Sequence, residues 1–139
     1  MPAAWLANLP VMSATAFRTA IEAMDVDAAV ALMADDVVFE SPVVFKPYVG
    51  REAVATLLHA VAQTFEDFSY VDQLDGADGS HVLVFSTRVW DRRIGGIDYL
   101  RFNAGGQITQ LTVMVRPLSG AHALAEAMAA RLQAAQPPA

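Results

Sequence analysis

The 139-residue chain contains no cysteine, so disulfides and thiolate metal sites are unavailable to it and its fold must rest on a buried core. A chain of this kind suits a reducing cytoplasm. Basic residues are scarce: nine Lys and Arg stand against fifteen Asp and Glu, giving a formal net charge of -6. Phosphate binding needs clustered cations, and only Arg92 and Arg93 adjoin, so nucleic acid is not an expected partner. His59, His81 and His122 are far apart and share no metal-ligand spacing; no metal and no cofactor are expected. Long hydrophobic runs are missing as well. Although 55% of the residues are hydrophobic, alanine supplies much of that share, and no stretch approaches the ~18 apolar residues of a membrane span. The opening Met1 to Leu6 lacks the positive charge of a signal peptide, and Asn8 and Pro10 interrupt its apolar character. The expected setting is therefore the cytoplasm, with no membrane partner.

What is present is enough for one domain, because a chain of this length buries roughly two thirds of the surface it exposes when unfolded. Residues 1–12 read as an N-terminal segment, 13–134 as the domain and 135–139 as a frayed tail. Ser13 is placed to cap a helix through about Met24, with Phe17, Ile21 and Met24 at helical spacing. Asp25 starts a shorter helix carrying Ala28, Ala29, Leu32 and Met33. The run Val37-Val38-Phe39-Glu40-Ser41 is rich in branched and aromatic residues and predicts a strand. Pro42 and Pro47 bracket a loop, and Arg51 to Phe65 predicts a helix with Val54, Leu58, Val61 and Phe65 on one stripe. The period then changes from helical to alternating. Ser69 to Leu74, His81 to Trp90, Ile94 to Asn103 and Gln107 to Arg116 predict strands joined by short turns, as in an antiparallel meander. Pro117 stops the last strand, and Ser119 opens a helix with Leu124, Met128 and Leu132 in line. Helices followed by a curved antiparallel sheet make an α+β fold whose helices cover one concave face.

Asp98 is the unusual residue. Alternation along Gly96-Ile97-Asp98-Tyr99-Leu100-Arg101-Phe102 puts its carboxyl on the face of Leu100 and Phe102, which should be the core. A carboxylate there must find a partner or hold its proton, because burial disfavours the charged form. The strands are apolar on their other face too, through Val82, Val84, Tyr99 and Met114, and this predicts a homodimer paired through the outer sheet face. His59 and His81 are expected in solvent. Arg88 is expected on the face opposite Phe85, Thr87 and Val89.

Asp25-Val26-Asp27, Asp35-Asp36-Val37, Phe39-Glu40-Ser41-Pro42, Gly50-Arg51-Glu52-Ala53-Val54 and the pair Gly96 to Asn103 with Gly106-Gln107-Ile108 occur in an order that resembles the nuclear-transport-factor-2-like superfamily, in its SnoaL-like and ketosteroid-isomerase-like branch. The resemblance spans about Phe17 to Pro117 and implies a cone-shaped curved antiparallel sheet closed by helices around a pocket, with the C-terminal helix as an addition. In ketosteroid isomerases an aspartate base moves a proton while a tyrosine and a protonated aspartic acid hold the oxyanion. Asp98 matches the protonated acid, Ser41 stands at the base and Phe17 at the tyrosine. Serine is no carbon-acid base and phenylalanine donates no hydrogen bond, so steroid isomerisation by that mechanism is not expected. Glu40 is no simple substitute for the base, since one step along a strand turns its side chain to the other face unless a bulge intervenes.

The resemblance implies a small-molecule pocket for an apolar, steroid- or polyketide-like ligand. Asp98 is the candidate acid-base group and Ser41 a hydrogen-bonding partner, in an isomerase- or cyclase-like enzyme. Phe17, Phe39, Phe45, Leu58, Val61, Phe65, Phe85, Leu100, Val113 and Val115 are the candidate lining. The alternative is a non-catalytic ligand-binding or dimerisation module that lacks the base and the tyrosine.

Overall fold

A computed structural model describes residues 9–135. The element order is α1 (Leu9–Glu22), α2 (Val26–Ala31), β1 (Met33–Glu40), β2 (Tyr48–Val49), α3 (Arg51–Thr64), β3 (Glu66–Asp75), β4 (His81–Val89), β5 (Arg92–Phe102), β6 (Ile108–Arg116) and α4 (Leu118–Ala135). Residues 1–8 of the expected N-terminal segment and 136–139 of the expected tail lie outside the described residues. No described helix is long and apolar enough to cross a membrane.

Helix α1 begins at Leu9, four residues before the expected cap, and buries Ala14, Phe17 and Ala20. Ser13 lies inside the helix, and its hydroxyl donates to the carbonyl of Gly106 in the β5–β6 turn. The serine thus ties the helix to the sheet. Asp25 is a helix cap as expected, accepting from the Ala28 amide at 3.0 Å, but α2 ends at Ala31 and β1 starts at Met33. Asp35 and Asp36 are therefore exposed residues within the strand, with Met33, Ala34, Val37 and Phe39 buried around them. Gly50 precedes α3 with φ 95°, a backbone conformation that a side chain would strain.

The strands form one curved sheet in the order β2-β1-β6-β5-β4-β3. From β3 to β6 it is the expected antiparallel meander. Strand β1, however, joins β6 in parallel, Phe39 against Leu111 and Glu40 against Thr112, so the sheet is mixed. The short β2, unexpected from the sequence, pairs with β1 through Val38–Val49 and Phe39–Tyr48.

Alternation sorts the two faces. On β4, His81, Leu83, Phe85, Thr87 and Val89 are buried and the residues between them are half-buried. His81 thus corrects the expectation of solvent exposure: it is in phase with Leu83, packs edge-on to Phe102 at 6.0 Å, and its Nδ1 has no partner among the described residues. Arg88 lies on the opposite face, as alternation requires, paired with Glu66 at 3.2 Å and Asp67 at 3.1 Å. The concave face packs under α1, α3 and α4, and Asp98 lies in it between Leu83 of β4 and Val113 of β6.

Candidate functional site

A cavity of about 330 Å³ lies between the concave sheet face and the helices. It is small for a ligand pocket, near the lower end of the ~300–1,000 Å³ common for such sites. Its walls are almost entirely apolar. Phe17 and Ile21 come from α1, Phe39 from β1, and Leu57, Leu58 and Val61 from α3, with Phe65 just beyond. Phe68 and Tyr70 of β3 and Leu111 and Val113 of β6 complete the sheet side. Ser41 to Val44, Tyr48 and the α4 residues Leu124, Ala125, Met128, Ala129 and Leu132 close the rest.

Asp98 is the one carboxylate among the described lining residues. The Tyr70 hydroxyl donates to its Oδ2 at 2.6 Å. Burial pushes the Asp98 pKa up to about 6, and the Tyr70 hydrogen bond opposes that rise. The Tyr70 phenol is raised well above its ordinary value, first by burial and then by the neighbouring Asp98 charge. The phenol therefore keeps its proton and the carboxylate is the acceptor of the pair. Asp98 makes no other side-chain hydrogen bond among the described residues. Asp98 thus stands in the cavity wall with Oδ2 held by Tyr70.

Tyr70 was not legible as a site residue in the sequence, although Phe68 and Tyr70 at period two carry the signal of an inward strand face. Its ring is held at one edge by Phe68, with centroids 4.9 Å apart. Phe68 in turn packs on Phe85 at 5.2 Å and stacks on Phe65 at 5.9 Å. The Arg18 guanidinium lies 5.7 Å from the Tyr70 centroid. A phenol thus reaches Asp98 from β3, while α1 presents Phe17.

Ser41 follows the last residue of β1 and faces the cavity. Its Oγ accepts from the amides of Val43 at 3.1 Å and Val44 at 3.3 Å, which occupies both lone pairs and leaves its proton free to donate. Glu40 points away, as one strand step requires: its Oε1 accepts from Thr112 Oγ1 and Gln110 Nε2 at 2.6 Å each. Those two hydrogen bonds, Thr112's first, hold its carboxyl below the usual range.

Of the expected lining, Phe17, Phe39, Leu58, Val61, Phe65 and Val113 border the cavity. Four do not. Phe45 is fully exposed at 104% of its reference area, because it sits at the tip of the β1–β2 loop. Phe85 and Leu100 are core residues behind the lining, and Val115 lies half-buried beyond the end of the cavity wall. Of the α4 lining, Leu124, Met128 and Leu132 are the stripe the sequence predicts, and Ala125 and Ala129 are additions to it. His59 is exposed and pairs with Asp27 at 3.2 Å. No cluster able to hold a metal ion occurs among the described residues.

The SnoaL-like domain family matches residues 14–111. Among solved structures, a steroid delta-isomerase from Pseudomonas aeruginosa is 42% identical, with 91% of this chain and 93% of that one covered and a TM-score of 0.86. A protein from Silicibacter pomeroyi with a cystatin-like fold is 31% identical over 88% of this chain and 86% of its own, TM-score 0.83. The epoxide hydrolase/cyclase-like enzyme SalBIII of salinomycin pyran-ring formation shares the fold at 17% identity, TM-score 0.66, with coverage of 80% and 92%. No curated protein matches the sequence.

Proposed function

Because the chain belongs to the SnoaL-like domain family of the NTF2-like superfamily, we propose that it binds an apolar, oxygen-bearing small molecule and moves a proton on it with Asp98. One observation carries this reading: a buried carboxyl in the wall of an apolar cavity, with one oxygen fixed by Tyr70. A base works best when its pKa lies near the operating pH, and Asp98 at about 6 meets that condition. In the proposed reaction Asp98 Oδ1 takes a proton from a carbon beside a ligand carbonyl. The electron pair of the broken C–H bond moves onto the carbonyl oxygen, where Ser41 Oγ–H donates a hydrogen bond. The protonated Asp98 then returns the proton to another carbon, so the net change is an isomerisation. This differs from the ketosteroid-isomerase arrangement, in which the shuttling carboxylate stands at the position of Ser41.

The steroid delta-isomerase likeness, at 42% identity, favours such proton transfer. The test is turnover of apolar β,γ-unsaturated ketones, read as the absorbance of the conjugated product. Asp98→Asn is expected to lower kcat at least ~100-fold, the usual scale of a lost acid-base group, with the fold retained. Equal turnover by Asp98→Asn and wild type would remove the proposed role. The absence of a second carboxylate from the described lining favours one other reading, a pocket that binds without catalysis. Ketones that bind without conjugating would establish it.

We also propose that the protein is a homodimer paired through the outer sheet face, where Val84, Ile97 and Met114 align across three strands.

A further inference from the structure

The walls of the cavity differ in exposure, and the difference locates its mouth. Phe17, Phe39, Leu57, Leu58 and Leu111 are each no more than 7% exposed. Among the described lining residues only Val44 and Ala129 are exposed to more than a third of their area. Val44 belongs to the turn after β1 and Ala129 to α4, so the opening lies between those two elements. Phe45, beside Val44, is fully exposed and makes the rim apolar. Asp98 is buried. A ligand whose reacting carbon meets Asp98 therefore enters that end first and leaves its apolar tail towards α4.

Ala125 and Ala129 lie one turn apart on the cavity side of α4, among Leu124, Met128 and Leu132. Residues at this spacing share a helix face. An alanine presents only its Cβ, so these two positions leave the tail its room, whereas the α4 side chains around them are large. None of the α4 residues that line the cavity carries a polar group; the helix can sort ligands by size but not by charge. It also lies beyond residue 111, where the family match ends.

We propose that Ala125 and Ala129 keep the mouth of this pocket open to the ligand's apolar tail. The ligand class is then a molecule with one oxygen function at its head and an apolar tail that passes out between Val44 and Ala129. This rests on the reading of the cavity as a site for an apolar ligand headed towards Asp98. The probes are 4-alkylphenols from ethyl to nonyl, whose hydroxyl donates to Asp98, titrated into the full chain by calorimetry. Wild-type affinity is expected to climb by up to roughly fourfold per buried methylene. Ala129→Leu and Ala125→Leu, both compatible with a helix, are expected to leave ethylphenol within about twofold and to weaken nonylphenol about tenfold or more, the scale of a steric change in an apolar pocket. Retained ethylphenol binding shows that each variant is folded, and either variant alone suffices for the test. Asp98→Asn is expected to weaken every length by a similar factor. A chain-length profile unchanged from wild type in a folded leucine variant overturns the tail proposal and leaves the reading of the head intact. Failure of every phenol to bind wild type overturns both.

Discussion

Asp98 gives up most of its hydration and receives one hydrogen bond in return, from Tyr70. Its folded pKa of about 6 lies above the ordinary 3.8, so the folded protein binds the proton more tightly than the unfolded chain does. The sign follows from linkage: this contribution to stability is fully present below about pH 4 and is lost as pH rises through about 6. A shift of this size corresponds to about 3 kcal/mol. Asp98→Asn removes the titration while keeping an acceptor for Tyr70. Urea unfolding of both proteins at pH 4 and pH 7 is expected to show the variant gaining on wild type by up to that amount between the two. A stability difference independent of pH would mean that Asp98 is solvated. Tyr70→Phe acts in the opposite sense to solvation: the bond it removes lowers the Asp98 pKa, so the midpoint of any pH–rate profile is expected to move above 6. A midpoint that stays or falls would show that Tyr70 does not hold the carboxylate in solution.

At the scale of elements, the position of Tyr70 depends on a glycine two strands away. A Cβ at Gly96 of β5 would stand 2.4 Å from Phe85 Cζ and 2.6 Å from the Met114 carbonyl oxygen. The second neighbour is backbone and cannot yield, so the Phe85 ring would have to leave its place against Phe68. Gly96→Ala is expected to cost about 1–3 kcal/mol, as overpacking of a core does, and to alter the near-ultraviolet circular dichroism of the Phe85–Phe68–Tyr70 cluster. An unchanged spectrum would mean that these rings do not form one packed unit. This dependence also explains what the sequence conveyed. Turn chemistry and period two are local, so the hairpins between β3 and β6 and the inward phase of Asp98 could be read directly. The parallel β1–β6 pairing joins residues some seventy positions apart, and no local pattern records it. Tyr70 is missed for the same reason, since its meaning comes from a carboxyl two strands over. Phe45 and Phe85 are equally aromatic in sequence; only loop geometry and the space left by Gly96 place one in solvent and the other behind the lining.

At the scale of the whole molecule, the face turned away from the cavity carries two rows across the strands. Val84, Ile97 and Met114 make one; Leu74, Val82, Tyr99 and Thr112 make the other, which ends at Glu40. Met114 is 52% exposed and Leu74 50%. The charged groups beside the second row are engaged within the chain: Glu40 by Thr112 and Gln110, and Arg101 by Asp78 at 2.8 Å and by the face of Tyr99 at 4.9 Å; the first row ends on β3 at the exposed Asp72. A second copy could therefore cover the second row without stripping an unpaired charge of water, the costly step in burying such a face. Two-fold pairing places like surface on like surface, so a single substitution acts twice. Sedimentation at micromolar concentration is expected to give twice the chain mass for wild type and a folded monomer for Met114→Glu, because two carboxylates would be buried in an apolar interface. A wild-type monomer, or a variant that remains dimeric, would place the contact elsewhere and leave these rows as ordinary exposed surface.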